Sequence, residues 1–423
     1  MSGIFWALIG DAFKGPNRPA DIVDENVDSF LSRRFGDKFA SKFGSALVHG
    51  IYAADSCQVS VKAAFPFLWQ AEETGRGSVT RGFLFPFQKQ IKGDAYELGC
   101  IPDIMRNVAV YSFKNGMETL ICALENYLEA LPNVTIMKNT RILRLEPLKN
   151  SIIQVIYFDD PLIVSLTYKQ ISHSSGEPIK TTHVVSALPL PTLHAVLGQQ
   201  SPFPNNENQQ VIPHLERNPS STVRVLNLIF ACPPAEIHPE GFGYLVPRPP
   251  KGYTSLLGSS SLGILGVVFD SCSLHEQDSP AIPDYYHNGS HTKVTVMMGG
   301  PYPCQPLPPK LLSTDRDSPP SIVHSVLDEL KIQLNRDLPD LVYWRIWNNE
   351  SCIPTLLPGH VERVQEMQRT LKVSPKWNGR LSVIGAGIGG VSVADCIEAG
   401  RRVGRDWEAN GPTFSGDSPD RTP

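Results

Sequence analysis

The sequence predicts a mixed α/β chain in which an antiparallel-sheet segment interrupts a strand–helix domain. Three observations carry this expectation. Apolar residues at helical spacing dominate roughly the first 95 positions, and β-type runs separated by turn-rich stretches recur between Thr222 and Trp347. A short apolar strand, a glycine turn and a helical pattern then close the chain between Arg380 and Trp407. At 423 residues, with 41% hydrophobic and 19% charged side chains, the chain is long enough for two or three domains. Its net charge of −4 gives no reason to expect a nucleic-acid partner. No apolar run reaches the roughly 18 residues a bilayer span needs, and Ile4–Ile9 is too short and poorly flanked for a targeting peptide.

In chain order, Phe39, Phe43, Leu47 and Ile51 form a stripe at intervals of four, continuous with Ala46 and Gly50, which predicts a helix packed into the core. Phe5, Trp6, Phe65, Phe67, Leu68 and Trp69 add aromatic weight; core is the expected role, an apolar membrane-facing surface the sharper one. Val110–Phe113 reads as a short strand. Asn115-Gly116 turns into a helix with the stripe Leu120, Leu124, Leu128 and Leu131, ended by Pro132. Val134–Met137 and Ile142–Leu145 are apolar runs, Ile152–Phe158 alternates as a half-buried strand, and His183–Leu188 reads as a buried strand. Residues 201–220 read as a polar loop. The runs Val223–Phe230, Tyr244–Val246, Ile264–Phe269 and Val294–Met298 predict the antiparallel sheet, with a helix over Ile322–Leu334 and a Pro-rich loop over Pro301–Pro320. The eight cysteines form no CxxC pair and are expected to be buried reduced thiols. His287 and His291 fit HxxxH, but Asn288-Gly289 between them argues for a turn, so no metal site is expected.

The chemistry-bearing motif is at the carboxyl end. Leu381–Ile384 is the strand, and Gly385, Gly387 and Gly390 satisfy G-x-G-x-x-G before an apolar pattern at Val391, Ala394 and Ile397. A helix N-terminus there offers amides and partial positive charge to an electron-rich ligand. A dinucleotide fingerprint would continue into a second strand ending in an acidic residue about 20 positions on. Here a polar Pro/Gly-rich stretch follows instead, so the motif is a last strand and last helix.

Several long stretches resemble oxygen-dependent protoporphyrinogen oxidases of the mitochondrial, fungal-like type. They are Phe30-Leu-Ser-Arg-Arg-Phe-Gly36, His49-Gly-Ile-Tyr-Ala-Ala-Asp55, Ala64-Phe-Pro-Phe-Leu-Trp-Gln-Ala-Glu72, Asn115-Gly-Met-Glu118 and Val184-Val-Ser-Ala-Leu-Pro189. Gly241-Phe-Gly-Tyr-Leu-Val-Pro247, Ile264-Leu-Gly-Val-Val-Phe-Asp270, Thr295-Val-Met-Met-Gly-Gly300 and Ile384 to Ile397 complete the set, in family order. The resemblance implies a monoamine-oxidase-like FAD flavoprotein fold with three parts. A helical membrane-binding region would occupy 1–95. A Rossmann-like FAD domain would be assembled from 108–200 and 370–410, interrupted by a substrate domain over 210–352, and 411–423 would be a disordered tail.

By the same resemblance, Ile142, Gly385, Ala386, Gly387, Gly390, Val391, Ser392 and Val393 would line FAD. Phe242, Gly243, Leu245, Phe269 and Met297 would enclose the tetrapyrrole. The implied reaction oxidises protoporphyrinogen IX to protoporphyrin IX in three two-electron steps of haem biosynthesis, with O2 as acceptor and hydrogen peroxide as product. No general base is identified. A peripheral location on the mitochondrial inner membrane, facing the intermembrane space, a homodimer and contact with ferrochelatase are implied as well. The family also has an opening strand–glycine turn–helix unit, and an arginine paired with a substrate propionate. Neither has a counterpart before residue 1, so the sequence is expected to be an amino-terminally shortened copy with weakened FAD affinity and exposed sheet edges, or a non-catalytic porphyrin-binding relative. Ile353–His360 further departs from a family segment that carries a tyrosine after the proline.

Overall fold

A computed structural model describes residues 2–85, 99–108, 111–148, 151–159, 177–198, 212–250, 252–253, 262–274, 291–303 and 319–410. The sequence expectations for 201–211, 304–318, His287 and the 411–423 tail lie outside these residues. The chain opens with short helices: α1 (Ser2–Phe13), α2 (Val27–Phe35), α3 (Asp37–Phe39), α4 (Ser45–Tyr52), α5 (Val61–Ala64), α6 (Pro66–Thr74) and α7 (Val79–Leu84). After α8 (Ile101–Met105) and α9 (Glu118–Glu129) come strands β1 (Thr140–Pro147), β2 (Ile153–Asp159), β3 (Ile179–Thr181) and β4 (Val184–Ser186), then α10 (Leu190–Val196). The next segment holds β5 (Ser220–Phe230), α11 (Pro234–Ile237), β6 (Gly243–Leu245), β7 (Ile264–Val268), α12 (Asp270–Ser273), β8 (Thr292–Gly299), α13 (Ser321–Leu334) and β9 (Leu341–Pro354). Helix α14 (His360–Val373), strand β10 (Leu381–Val383) and helix α15 (Val393–Asn410) complete it.

Three sheets organise these elements. An antiparallel five-stranded sheet runs β6-β7-β8-β5-β9, β1-β2-β3 form a second antiparallel sheet, and β10 pairs in parallel with β4. In the five-stranded sheet the period-2 alternation sorts side chains cleanly. Leu226, Leu228, Phe230, Val294, Val296 and Met298 face α13 through Val323, Val326 and Leu330, forming the largest core. On the opposite face, the register aligns Leu245, Gly266, Met297, Val225 and Trp347 in one row, and Gly243, Val268, Thr295, Asn227 and Arg345 in the next. Helix α4 covers the β6–β7 end of that face.

The helical layer has its own core of Phe30, Val48, Tyr52, Val59, Phe65 and Trp69. Here the expected stripe is corrected. Phe43 and Ile51 are 48% and 44% exposed, whereas Ala40, Gly44, Val48 and Tyr52 are buried. The buried set keeps the expected spacing of four but sits one residue later, with Phe39 and Leu47 only partly buried beside it. The π-turn at Ala40–Gly44 keeps positions four apart on one face through the junction of α3 and α4. Phe5 and Trp6 also point outward, while Phe65 and Trp69 are buried.

Buried charge pins this layer. The fully buried Arg34 donates from Nε to Asp11 Oδ1 at 2.6 Å, and Asp11 Oδ2 accepts from Ser78 and the Thr80 amide, each at 2.8 Å. Glu72 bridges Arg18 and Arg33. Burial alone would raise its carboxyl, but hydrogen bonds from the two guanidiniums prevail and hold it below the usual range.

The thiol expectation is also corrected in part. The seven described cysteines are free, but Cys100, Cys122 and Cys352 are exposed and only Cys232 is buried. Residues 111–113 and 134–137 form no strand.

Candidate functional site

The glycine turn is held by contacts that the three glycines make possible. Gly385 and Gly387 take φ of +102° and +85°, the left-handed region that disfavours a side chain. A Cβ on Gly387 would also lie 3.0 Å from the Pro354 side chain at the end of β9. Gly390 serves differently, because a Cβ there would run into the Asp395 carboxylate. That carboxylate caps α15: Asp395 Oδ2 accepts from the Ser392 amide at 3.0 Å and its hydroxyl at 2.7 Å, and Ser392 Oγ accepts from the Asp395 amide at 3.1 Å. Ser392-x-x-Asp395 is thus a reciprocal capping box, and the α15 first-turn amides of Val393 and Ala394 have no intrahelical acceptor.

Helix α14 closes the turn from below. Its first residue, His360, is 5% exposed, and its Nε2 donates to the Gly387 carbonyl at 2.8 Å. Burial lowers this imidazole to about 4, against a smaller upward push from the carbonyl it binds, so the ring is neutral near pH 7. A neutral ring that donates from Nε2 is the Nε2–H tautomer. The Gly387 amide donates in turn to the Gly390 carbonyl at 2.7 Å.

The residues expected to line a cofactor fall into two groups. Gly385, Ala386, Gly387, Gly390, Ser392 and Val393 form one continuous rim on which Ala386, Ser392 and Val393 are exposed. Val391 instead packs against the helical-layer core with Leu356, and Ile142 packs with Ile388 into the core around Leu145, Leu193 and Leu381. The residues expected to enclose substrate also divide. Gly243, Leu245 and Met297 share the open sheet face; Leu245 and Met297 flank Gly266, and Leu245 presses on Gly50 of α4. Phe269 is on the other face, buried among the α13-side core and stacked on His238 with ring centroids 4.0 Å apart. Phe242 lies at the sheet edge, 57% exposed.

The turn and the open sheet face meet at the end of β9. Pro354 abuts Gly387, while its neighbour Ile353 packs with Val225, Met297, Leu265 and Tyr302. The exposed backbone turn and the apolar sheet face are thus joined through consecutive residues, Ile353 and Pro354, at the end of β9. A polar chain crosses the face two residues from Met297: Asn227 Nδ2 donates to Thr295 Oγ1 at 2.8 Å, which donates to Asp270 Oδ2 at 2.6 Å. Beyond it, the Arg345 guanidinium lies over the Trp347 ring at 3.9 Å.

The α4 flank is buttressed by His49, whose Nδ1 contacts the Val246 carbonyl at 2.6 Å and whose Nε2 contacts the Tyr253 hydroxyl at 2.7 Å. Burial lowers His49, and burial pushes the neighbouring Tyr302 hydroxyl up to about 12. A cavity of about 460 Å³ lies against the turn itself, between α6, α14 and α15; His360, Ile384, Ile388, Gly389 and Gly390 line it, and none of the sheet-face residues does. Among the described residues no cluster of metal-ligating side chains occurs.

Pro354, His360, Asp395 and the Asn227–Thr295–Asp270 chain were not singled out from sequence. Only the capping box is spelled locally, in Ser392-x-x-Asp395. His360 meets a partner 27 positions away, and the polar chain depends on strand register, so neither has a local signature.

Comparison with known proteins agrees with this architecture. The family described as flavin containing amine oxidoreductase matches residues 10–406. Protoporphyrinogen oxidase of Schizosaccharomyces pombe is 28% identical over 414 residues, covering 94% of this chain and 71% of that protein. The Homo sapiens protoporphyrinogen oxidase is 26% identical over 406 residues, covering 95% and 72% respectively. Among solved structures, a putative protoporphyrinogen oxidase from Exiguobacterium sp. 255-15 superposes with a TM-score of 0.62 at 18% identity, over 94% of this chain and 70% of that one. The last likeness shows the shared fold. A flavin fits the turn's chemistry: left-handed glycine backbone, an exposed rim, and first-turn α15 amides that would suit an acceptor-rich ring edge.

Proposed function

The chain belongs to the flavin containing amine oxidoreductases, and from that premise we propose that it binds FAD at the Gly385–Val393 turn and oxidises protoporphyrinogen IX to protoporphyrin IX with O2 as the final acceptor. The carrying observation is the junction at Ile353–Pro354, where consecutive residues of β9 touch the exposed turn and the apolar face bearing Met297. The named protoporphyrinogen oxidases among the relatives support the choice of substrate.

When bound, the flavin would accept a hydride from a carbon bridging two pyrroles, three times over for the six-electron oxidation. The protein's contribution is placement. Leu245, Met297, Val225 and Ile353 offer an apolar wall to the macrocycle, and the sheet excludes water from one side of it. The Asn227–Thr295–Asp270 chain supplies polar atoms within an otherwise apolar wall, suited to orienting a ring whose polar handles are few. On the turn side, the first-turn amides of α15 would stabilise negative charge appearing at the flavin edge.

The test is protoporphyrin fluorescence growing from protoporphyrinogen IX under air, with and without added FAD. Coproporphyrinogen III is the comparison substrate, since a Bacillus subtilis coproporphyrinogen III oxidase is 22% identical over 385 residues. FAD-dependent growth with protoporphyrinogen supports the proposal, and preference for coproporphyrinogen would redirect it. Porphyrin binding without turnover at saturating FAD would overturn it in favour of a binding protein. A peripheral membrane site on the mitochondrial inner membrane belongs to the same reading. Its support is the outward-facing Ile4, Phe5, Trp6, Leu8 and Phe13 of α1, while no helix among the described residues is long and apolar enough to cross a bilayer.

A further inference from the structure

We infer that His360 is a positioning residue for the glycine turn: its Nε2–H, bound to the Gly387 carbonyl, fixes the direction in which the Ala386–Gly390 backbone is presented to the flavin. The inference rests on the reading of that turn as the flavin contact.

The turn has few other means of holding this orientation. A glycine at positive φ gains freedom from its missing side chain and would sample both halves of φ space if nothing pinned it. Both polar groups of Gly387 are pinned. Its amide donates to Gly390 inside the turn, and its carbonyl is taken by a side chain from a different element. The internal bond closes the loop but cannot orient it against the rest of the protein. The His360 bond can, because His360 begins α14, whose Val364, Met367 and Leu371 are buried in the same core as Leu381 and Val383 of β10. Pro354 occupies the space a Gly387 side chain would need, so the residue is confined by packing as well as by the hydrogen bond.

Burial keeps the ring neutral near pH 7, so the hold is by direction and not by charge. That distinguishes it from the cations Arg401, Arg402 and Arg405, which lie past the first two turns of α15. A single buried hydrogen bond is modest in stability terms, yet it acts on the peptide plane that decides where the neighbouring amides point.

The test compares His360→Gln, whose side-chain NH2 can occupy the Nε2 position, with His360→Leu, which keeps the volume and has no donor. In the purified chain without added flavin, amide hydrogen exchange over 384–392 reports the turn itself. Exchange over 364–373 reports whether α14 survives. FAD affinity by quenching of flavin fluorescence and the flavin midpoint potential are then read on the same proteins.

The expected result is faster exchange over 384–392 and an FAD Kd raised roughly tenfold in the Leu variant, with α14 unchanged and the Gln variant within about threefold of the parent. Equal behaviour of Gln and Leu, or exchange over 384–392 unaltered in both, would overturn the inference and leave His360 a packing residue. If the parent itself binds no FAD, the flavin reading of the turn fails. The exchange comparison still decides whether His360 orients the turn.

Discussion

Arg34 and Asp11 form an ion pair with no solvent access on either side chain. Asp11 also accepts from Ser78 and Thr80, so its two oxygens hold α1, α2 and the start of α7 together. Removing one partner strands the other charge in a dry interior, which typically costs about 3–5 kcal/mol, whereas replacing both with well-packed apolar side chains can be neutral. Arg34→Ala and Asp11→Ala are each expected to lower stability by that amount in urea denaturation, and Arg34→Met with Asp11→Leu to recover most of it. At the turn, Gly390→Ala drives a methyl into the Asp395 carboxylate and so breaks the α15 cap; a loss of about 1–2 kcal/mol is expected from the melting transition.

Two histidines give the fold a pH dependence whose sign is fixed. Burial lowers both His49 and His360 in the folded state, so the unfolded chain binds their protons more readily. Their contribution is therefore complete above the unfolded value near 6.5 and is lost as pH falls, for His360 continuing down to about 4. Melting temperature should decline between pH 6.5 and 4. The decline should be shallower in His49→Asn, which keeps a donor for the Val246 carbonyl without a titrating ring.

At the scale of elements, regular periodicity was readable and irregular backbone was not. The β5, β7 and β8 runs announced themselves by alternation, and Leu381–Ile384 with its glycines by an apolar run meeting a spaced turn. The α4 stripe misled by one position: the sets Phe39–Ile51 and Ala40–Tyr52 both run at intervals of four and lie about 100° apart on the helix, so spacing alone does not choose which of them faces the core. Phe269 illustrates the parity rule: it follows Val268 and so lies on the opposite sheet face from Gly266 and Val268, a placement that depends on register. The π-turn can be tested. It absorbs one extra residue locally, so deleting the exposed Lys42 should restore α-helical bonding there while α4, with His49 on Val246 and Gly50 against Leu245, keeps its seat. Paired thermal melts compare the deletion with Lys42→Ala, an exposed change expected to stay within about 0.5 kcal/mol; a large loss in the deletion alone would show that α4 has rotated.

At the scale of the molecule, large exposed apolar side chains recur along α1, at the end of α7 and again between 111 and 148, and those of α1 are not scattered. Ile4, Phe5, Trp6, Leu8 and Phe13 share one helix; α7 packs along it through Thr80, whose hydroxyl donates to the Leu8 carbonyl, and ends in the exposed Phe83, Leu84 and Phe85. Gathered on one helix beside the α7 end, these aromatic and aliphatic side chains suit the interface between headgroups and acyl chains. The buried Asp11–Arg34 pair beneath it makes the scaffold rigid, so the apolar tips can enter a bilayer without α1 unfolding. Each side chain that inserts fully is worth roughly 1.5–3 kcal/mol of transfer, so losing two should weaken vesicle binding by at least tenfold. Phe5→Ser with Trp6→Ser is expected to show that loss in co-sedimentation with phospholipid vesicles while leaving the urea midpoint unchanged, since both residues are mostly exposed. Unaltered vesicle binding in the double variant would remove α1 from the membrane contact and shift attention to the α7 tip.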